Sequence, residues 1–335
     1  MRKPVTRSVV LAAGLATGLL AQLAAAADEV TYQLDWLPGG DKSPIYVGVE
    51  KGFFAEEGLE VSIASGRGST DAITKIATGQ ADIGSADIAA LMAARAEDDS
   101  VPVKVVYSIF NQAPHAFFSL AGNGISSVED IDGKKVATSP FTSSNAFLPL
   151  VLKENGLAED AVALTKADPG ALGPMLMNGG TDAIIAWVTN VPLFEDQAEE
   201  TGNELVVVPW SAAGLELYSS SVVASDRFLS ERPDVARRFI KAFDKALRYT
   251  NDNPDEAGAA LATMVPEVEA EVAAAQVRAT MPLVFNEVSN RDGLGALTPG
   301  RVAQTWEWTS QAEGLPLDSL DPEVVVDRSL LESLD

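Results

Sequence analysis

The sequence contains no cysteine among its 335 residues. A chain without cysteine cannot form disulfides, zinc–thiolate sites or a thiol nucleophile. Histidine is almost absent as well, since His115 is the single example. Serine nucleophiles need a neighbouring base, and no Gly-x-Ser-x-Gly elbow surrounds the candidate serines, which are Ser69, Ser139, Ser143 and Ser144. The composition therefore disfavours nucleophilic catalysis.

Clustered carboxylates are the remaining source of metal ligands. The most obvious groups, at 97–99 and at Glu231 with Asp234, are typical of solvated helix ends. The loop Gly66-Arg67-Gly68-Ser69 resembles a phosphate cradle only loosely, because no Walker lysine and serine follow it. We therefore expect no metal and no cofactor.

Basic residues are scarce: 24 Lys and Arg stand against 48 Asp and Glu, a formal net charge of −24. A surface of this sign repels nucleic acid and anionic membranes. Beyond the N-terminus, no apolar stretch is long enough to cross a bilayer. We expect neither nucleic-acid binding nor direct membrane insertion.

The N-terminus has the pattern of a signal peptide over residues 1–27. Arg2, Lys3 and Arg7 form a basic region, residues 9–20 are mostly apolar, and three alanines precede Asp28. A membrane anchor is the weaker alternative, because the apolar run is short for a span. We expect cleavage near Ala27, leaving about 308 residues in the periplasm, enough for one large or two medium domains.

Residues 34–84 show most clearly the alternation of strands and helices on which the fold prediction rests. Residues 31–37 and 59–64 are predicted strands, 44–52 is a predicted short helix, and a second helix runs to Thr78. Strands that alternate with helices of this length predict a parallel sheet. In such sheets ligands bind where strand carboxyl ends meet helix N-termini, so the loops after Trp36, Ser65 and Ser85 are candidate sites.

The same stretch resembles a known family. Its motifs are Leu34-Asp35-Trp36-Leu37-Pro38, Gly52-Phe53-Phe54 before the strand Gly58-Leu59-Glu60-Val61, and Gly79-Gln80-Ala81-Asp82-Ile83-Gly84. They resemble the periplasmic solute-binding proteins of ABC importers, in the branch that includes nitrate, sulfonate, taurine and thiamine-pyrimidine-precursor binders. The resemblance implies an α/β, two-lobed, type II-like fold. Each lobe would be a mainly parallel sheet flanked by helices, with the ligand cleft between the lobes.

A short internal sequence repeat also indicates two similar lobes. Residues 177–184 repeat the pattern of 77–84, in which a glycine ends a helix and an aspartate three residues later starts a buried strand. We place lobe I at 28–113 and 213–335, including the C-terminal helices, and lobe II at 114–212. The chain would cross between lobes at 111–115 and again at 210–215. Two crossings make a hinge that can close around a small solute.

Candidate ligand-binding residues lie mainly at the predicted strand ends and crossings. Hydroxyl, amide and backbone N–H groups near helix N-termini suit a polar or anionic group, and aromatic side chains supply walls. Trp36 and Trp187 are the preferred aromatics because both sit at a strand end, whereas Trp306 and Trp308 are expected to pack. The candidate set is Asp35, Trp36, Tyr46, Gly66, Arg67, Ser69, Ser85, Asp87, Asn111, His115, Ser139, Phe141, Thr142, Ser143, Ser144, Trp187, Asn190, Trp210 and Tyr218.

The ligand class stays open at this point. In the pyrimidine-precursor binders that the chain resembles, acidic and amide groups with stacked aromatics hold an aminopyrimidine, and Asp35, Trp36 and His115 match. In the sulfonate and nitrate binders small polar loops carry the contacts, and residues 139–144 match. Arg67 is either an anion clamp or a surface arginine. Asp35 and Asp87 either bond a ligand amine or cap the helices that follow.

The resemblance implies a receptor that captures a small organic solute and delivers it to an inner-membrane ABC permease with its cytoplasmic ATPase. We expect the receptor to be a monomer. One alternative is an enzyme, because the family resembles fungal enzymes that build the thiamine pyrimidine. Those enzymes carry a cysteine-rich motif, and this chain has no cysteine and carries an export signal. A periplasmic sensor that presents its ligand to a membrane kinase is the other alternative.

Overall fold

Two five-stranded sheets organise the chain in the computed structural model, which describes residues 27–210 and 217–334. The predicted signal peptide lies outside these residues, apart from Ala27. The strands are β1 (Asp28–Gln33), β2 (Leu59–Ala64), β3 (Ile83–Asp87), β4 (Val103–Ser108), β5 (His115–Leu120), β6 (Lys135–Thr138), β7 (Ala163–Lys166), β8 (Ala183–Trp187), β9 (Leu205–Pro209) and β10 (Ser220–Ser225).

Helices flank both sheets. They are α1 (Ser43–Glu50), α2 (Phe53–Glu56), α3 (Ser69–Ala77), α4 (Ile88–Glu97), α5 (Ser144–Glu154), α6 (Pro169–Met177), α7 (Val191–Glu200), α8 (Asp226–Glu231), α9 (Pro233–Asp252), α10 (Pro254–Met264), α11 (Ala270–Val284), α12 (Glu287–Asp292) and α13 (Pro299–Glu313). None of the helices in the described part of the chain is long and apolar enough to span a bilayer.

The two sheets have the same topology. Their strand orders are β2-β1-β3-β10-β4 in the first lobe and β7-β6-β8-β5-β9 in the second. Four strands of each sheet run one way, and the fifth, β10 or β5, pairs antiparallel with both of its neighbours. The sheets are therefore mixed, although most strands run parallel as predicted. Each reversed strand is the first one after a crossing, which explains why it enters from the opposite direction.

The internal sequence repeat, residues 77–84 and 177–184, occupies equivalent positions in the two sheets. Gly79 and Gly179 follow α3 and α6 with φ of 76° and 73°, a left-handed conformation that favours glycine. Asp82 Oδ2 then accepts the backbone N–H of Thr31 at 3.0 Å, and Asp182 Oδ2 accepts that of Lys135 at 2.8 Å. Each aspartate thus ties the start of a buried strand to its parallel neighbour, and the prediction of two similar lobes is confirmed.

The first predicted strand is shorter than the sequence pattern indicated. β1 ends at Gln33 and not at residue 37, because the backbone N–H of Asp35 bonds the Ser85 hydroxyl at 3.2 Å and leaves the ladder. Trp36 O then accepts the N–H of Gly66 at 3.0 Å. The loop after β1 is therefore tied to the neighbouring loops, which draws the candidate residues together.

The C-terminal helices cover lobe I and also reach lobe II. α9 buries the predicted apolar stripe against the first sheet, namely Val235, Phe239, Ile240, Phe243 and Leu247. α11 contacts α7, and α13 contacts α5, so both bridge the two sheets. Trp306 is buried in lobe I, while Trp308 packs against the lobe II cluster. The chain passes from one sheet to the other between β4 and β5 and returns between β9 and β10. The predicted boundary at 212/213 lies outside the described residues.

Candidate functional site

A cavity lies where loops from both lobes meet. The carboxyl ends of β1 and β8 contribute residues to it, and so do the N-terminal ends of α3 and α5 and the turn before α1. Its lining residues are Asp35, Trp36, Asp41, Gly68, Ser69, Thr142, Ala186, Trp187 and Asn190. This is the place where an α/β sheet presents strand ends and helix N-termini to a ligand. Six of the nine lining residues belong to the candidate set.

A buried lysine with two carboxylates forms the charged part of the site. Lys42 Nζ lies 2.6 Å from Asp35 Oδ1 and 2.9 Å from Asp41 Oδ2. Ser85 Oγ donates to the same Asp35 oxygen at 3.0 Å. All three charged side chains are at least nine-tenths buried, so each needs the others to offset the loss of hydration.

The charge states follow from this geometry. Burial alone would lower the pKa of Lys42, but the two carboxylates outweigh it and raise that pKa above its usual range. Burial raises the pKa of Asp41, and Lys42 partly offsets that effect. Whether or not Asp41 holds a proton, the cluster carries no net positive charge.

Two tryptophans form the aromatic part of the site. Trp36 is partly buried and packs against apolar residues of lobe II, and Trp187 is 9% exposed. Lys42 Nζ lies 5.2 Å from the Trp187 ring centroid, within cation–π range. Among the described residues, neither Trp187 Nε1 nor Asp35 Oδ2 has a hydrogen-bond partner. Two residues of the cavity lining thus carry buried polar atoms without a partner, one a donor and one an acceptor.

The glycine-rich loop closes the cavity but does not present its arginine to it. Arg67 is half exposed, bonds Asp71 Oδ1 at 2.9 Å and lies 4.7 Å from the Phe141 ring. A Cβ at Gly66 would lie 2.0 Å from the Leu34 carbonyl oxygen, so only glycine allows this close backbone approach. The surface alternative for Arg67 therefore fits the structure, and Gly66 positions the loop.

The 139–144 loop of lobe II packs on the same glycine-rich loop. Ser139 Oγ donates to the Arg67 carbonyl at 2.6 Å, and the Phe141 carbonyl accepts the Thr70 N–H at 3.2 Å. Within this loop Thr142 lines the cavity. The loop therefore serves as a contact between the lobes more than as a ring of ligand-facing hydroxyls.

Asp87 is buried behind the cavity, in contact with four segments. Its Oδ1 accepts the Ala89 N–H at 2.9 Å, which caps α4 as one of the two alternatives predicted. Its Oδ2 accepts Ser143 Oγ at 2.9 Å and Ser219 Oγ at 2.8 Å. Its backbone N–H donates to Ser69 Oγ at 3.1 Å. Burial raises the pKa of Asp87 to about 6 despite these hydrogen bonds.

His115 lies beside Asp87 and does not line the cavity. Its Nδ1 is 2.9 Å from Ser144 Oγ, and its Nε2 is 3.9 Å from Asp87 Oδ2. Phe147, Trp187 and Trp210 surround the ring. Burial lowers the pKa of His115 to about 3, so the imidazole is neutral. The serine, histidine and aspartate are all inaccessible to a substrate, which excludes them as a hydrolytic triad in this arrangement.

The Asp87→Asn variant should change how stability depends on pH. Because the folded protein holds the Asp87 proton to a higher pH than the unfolded chain does, this group's contribution to stability falls between pH 4 and pH 6. We expect the stability of the native sequence relative to the variant to fall by roughly 2–3 kcal/mol over that interval. Urea titrations at pH 4, 5, 6 and 7 measure the difference. A difference that is constant or rises with pH would contradict the buried, proton-retaining carboxyl.

Four further candidate residues also lie outside the cavity lining. Tyr46 packs in the lobe I core on α1, and Trp210 packs in the lobe II core against Phe117. Asn111 donates from Nδ2 to the Val284 carbonyl at 3.1 Å, which ties the first crossing to α11. The Tyr218 hydroxyl accepts the Thr298 N–H at 3.1 Å at the start of α13. Asn111 and Tyr218 thus tie the two crossings to α11 and to the start of α13, and none of the four residues lines this cavity.

Sequence reasoning missed the residues at 41 and 42. A charged pair after two glycines is typical of a solvated turn, and this pair is buried for a reason that lies far along the chain. A Cβ at Gly40 would be 2.1 Å from the Ala273 carbonyl oxygen, and the Gly40 N–H donates to Gln276 Oε1 at 2.8 Å. The glycine therefore lets the turn pack on α11. Gly68 and Ala186, also missed, line the cavity through small surfaces that carry no chemical signal.

In the described part of the chain, no group of three or more His, Asp and Glu side chains is arranged to hold an ion. The polar groups of the lining residues are two carboxylates, two hydroxyls, an amide and two indoles, and the Lys42 ammonium bonds both carboxylates from outside the lining. Such a set binds organic solutes by hydrogen bonds and aromatic contact.

The fold is that of the periplasmic binding proteins. The alkanesulfonate-binding protein SsuA from Xanthomonas axonopodis pv. citri, solved with bound MOPS, superposes with a TM-score of 0.70 at 15% identity. The alignment covers 91% of this chain and 99% of that one. The predicted two-lobed fold is thereby confirmed.

The family is also defined. The model described as "NMT1/THI5 like" matches residues 40–257, and the chain belongs to this family. A riboflavin-binding protein, RibY of Chloroflexus aurantiacus, is 25% identical over 86% of this chain and 81% of its own length. A formylaminopyrimidine-binding protein of Halalkalibacterium halodurans is 25% identical over 84% and 83%. A 4-amino-5-hydroxymethyl-2-methylpyrimidine phosphate synthase of Saccharomyces cerevisiae is 24% identical over 69% of each chain. The resemblance drawn from the sequence is confirmed at the level of the family.

Proposed function

We propose that the chain is the substrate-binding component of an ABC importer and that its ligand is a flat nitrogen heterocycle without negative charge. The observation that carries this proposal is the buried cluster of Lys42, Asp35 and Asp41. Its lysine is fully engaged by two carboxylates, so it offers no net positive charge to an anion. Arg67, the other cation considered for an anion, is bonded to Asp71 at the exposed side of the loop.

The unpartnered polar atoms of the lining residues favour a ligand with both a donor and an acceptor. A buried carboxylate oxygen or indole N–H without a partner costs about 1–3 kcal/mol, more for a charged group. An N–H of the ligand would satisfy Asp35 Oδ2, and a ring nitrogen or carbonyl would satisfy Trp187 Nε1. A sulfonate has acceptors alone and would leave the carboxylate unpaired. Trp36 and Trp187 add the aromatic walls that suit a planar ring.

The named ligands of two relatives fit these requirements. Formylaminopyrimidine and riboflavin are planar nitrogen heterocycles that carry N–H donors and acceptors together. The sulfonate-binding neighbour supports the fold and carries no argument about the ligand, because its identity is 15%. Both relatives therefore support the heterocycle over the sulfonate, the two classes left open by the sequence.

The importer role rests on the fold, the binding relatives and the predicted export signal. Together they support a periplasmic location, lobe closure around the solute, and delivery to a membrane permease with its ATPase. Deleting the gene should abolish uptake of the labelled ligand at low concentration while the cells keep their other transport activities. Unchanged uptake would contradict the importer role and favour the periplasmic sensor.

A thermal-shift screen tests the ligand class. We expect aminopyrimidines or flavins to raise the Tm by several degrees, since a ligand at about 100 times its Kd adds roughly 2.7 kcal/mol. Alkanesulfonates without an amine, such as ethanesulfonate, and nitrate should give no shift. Asp35→Asn should reduce the shift, because the variant loses a charged acceptor. A shift with sulfonates and none with heterocycles would contradict the proposal.

The synthase relatives supply the second candidate function. Against catalysis, the raised pKa keeps Lys42 as an ammonium between two carboxylates, so it is not a nucleophile. Incubation of the purified protein with candidate substrates, followed by mass spectrometry, should show ligand recovered intact. Formation of a pyrimidine phosphate would favour the enzyme.

A further inference from the structure

Both lobes and both crossings meet at the Asp87 carboxylate. Asp87 ends β3 in lobe I, and Ser143 precedes α5 in lobe II. Ser219 belongs to the second crossing, and His115 begins β5 directly after the first. The two serine hydroxyls donate to the same oxygen at 2.9 and 2.8 Å, but only the Ser143 bond joins one lobe to the other.

This junction adjoins the cavity on two sides. Ser69 lines the cavity, and its Oγ accepts the Asp87 N–H at 3.1 Å. Thr142 lines the cavity from lobe II and is the chain neighbour of Ser143. The cavity lining therefore includes, in each lobe, a residue next to the junction, whereas Asp87 and Ser143 themselves are not part of the lining.

We propose that the Ser143–Asp87 hydrogen bond is a closure latch, which sets how long the lobes stay together around a solute without contacting that solute. The other bonds between the facing loops, from Ser139 and Thr70, end on backbone carbonyls. The latch ends on a buried carboxylate instead, and hydrogen bonds to charged groups are the stronger kind. The latch requires that lobe opening separates Ser143 from Asp87, so that the strength of this bond opposes opening. As a device for retaining a solute, the latch rests on the function proposed above.

The absence of cysteine makes a direct test possible. Cysteines introduced at the exposed positions Glu60 in lobe I and Glu199 in lobe II can carry spin labels, and pulsed electron paramagnetic resonance then reports the distance between lobes in solution without added ligand. We expect Ser143→Ala to move the distribution toward longer distances. Ser219→Ala is the matched control: it removes one hydroxyl from the same oxygen and should leave the distribution unchanged. Ser143→Thr, which keeps the hydroxyl, should restore it.

Solute dissociation supplies the second readout. For any compound that binds in the thermal-shift screen, Ser143→Ala should speed dissociation in stopped-flow experiments by about tenfold or more, with a smaller change in the association rate. Equal distance distributions for the native protein and Ser143→Ala would overturn the latch. Equal shifts for Ser143→Ala and Ser219→Ala would overturn it as well, because they would indicate general loosening. Since the distances are measured without solute, these outcomes stand even if the heterocycle proposal fails.

Discussion

Replacing Lys42 with methionine is expected to lower the free energy of unfolding by about 3–5 kcal/mol. The lysine is the cation that offsets Asp35 and Asp41, and all three side chains are buried. Methionine fills a similar volume but leaves two carboxylates unpaired in a poorly hydrated site, so at least one of them must take up a proton or draw in water. Urea denaturation followed by circular dichroism measures the loss.

A matched surface lysine separates this effect from the loss of a charge in general. Lys245 pairs with Glu56, and both side chains are more than half exposed. Lys245→Met should therefore cost less than about 1 kcal/mol, the usual value for an exposed pair. Equal losses for the two variants would contradict a buried cluster around Lys42. The lysine would then be a free positive charge beside the cavity, available to an anion.

Truncating the two cavity tryptophans is expected to weaken solute binding by about 1–3 kcal/mol each, roughly 5- to 150-fold in Kd. Trp36 is partly buried at the cavity wall, so Trp36→Ala should do this with little loss of stability. Trp187 also packs on Phe110 and His115, so Trp187→Ala should lower stability in addition. Isothermal titration with a compound from the thermal-shift screen measures the affinities.

Trp308 provides the control for these substitutions. It is a partly buried tryptophan on α13 that packs against lobe II away from the cavity. Trp308→Ala should leave the affinity unchanged. If all three variants bind like the native protein, the aromatic walls of the cavity do not contribute to recognition.

The fold was largely predictable because its signals are local. A glycine that ends a helix, followed by an aspartate and a buried strand, occurs twice, and at both places the aspartate bonds the neighbouring parallel strand. The predicted strand ends also identified Asp35, Trp36 and Trp187 as site residues, because a parallel sheet brings the carboxyl ends of its strands to one edge.

The charged part of the site was not predictable, because it depends on contacts distant in sequence. Lys42 is buried because Gly40 packs on α11, more than 230 residues later. The pairing of the Arg67 side chain with Asp71 could have been predicted from the local sequence. Asp71 lies four residues further on and Lys75 four beyond it, which is the helical spacing for ion pairs.

Calorimetric titration of the native mature protein tests the central claim most directly. The two titrants are 4-amino-5-hydroxymethyl-2-methylpyrimidine, a neutral heterocycle with N–H donors, and ethanesulfonate, a small anion without N–H donors. A buried cluster without net positive charge, beside an unpaired carboxylate oxygen, predicts one-to-one binding of the heterocycle and no heat of binding for ethanesulfonate. Saturable binding of ethanesulfonate together with none of the heterocycle would contradict the claim and assign the cavity to an anion.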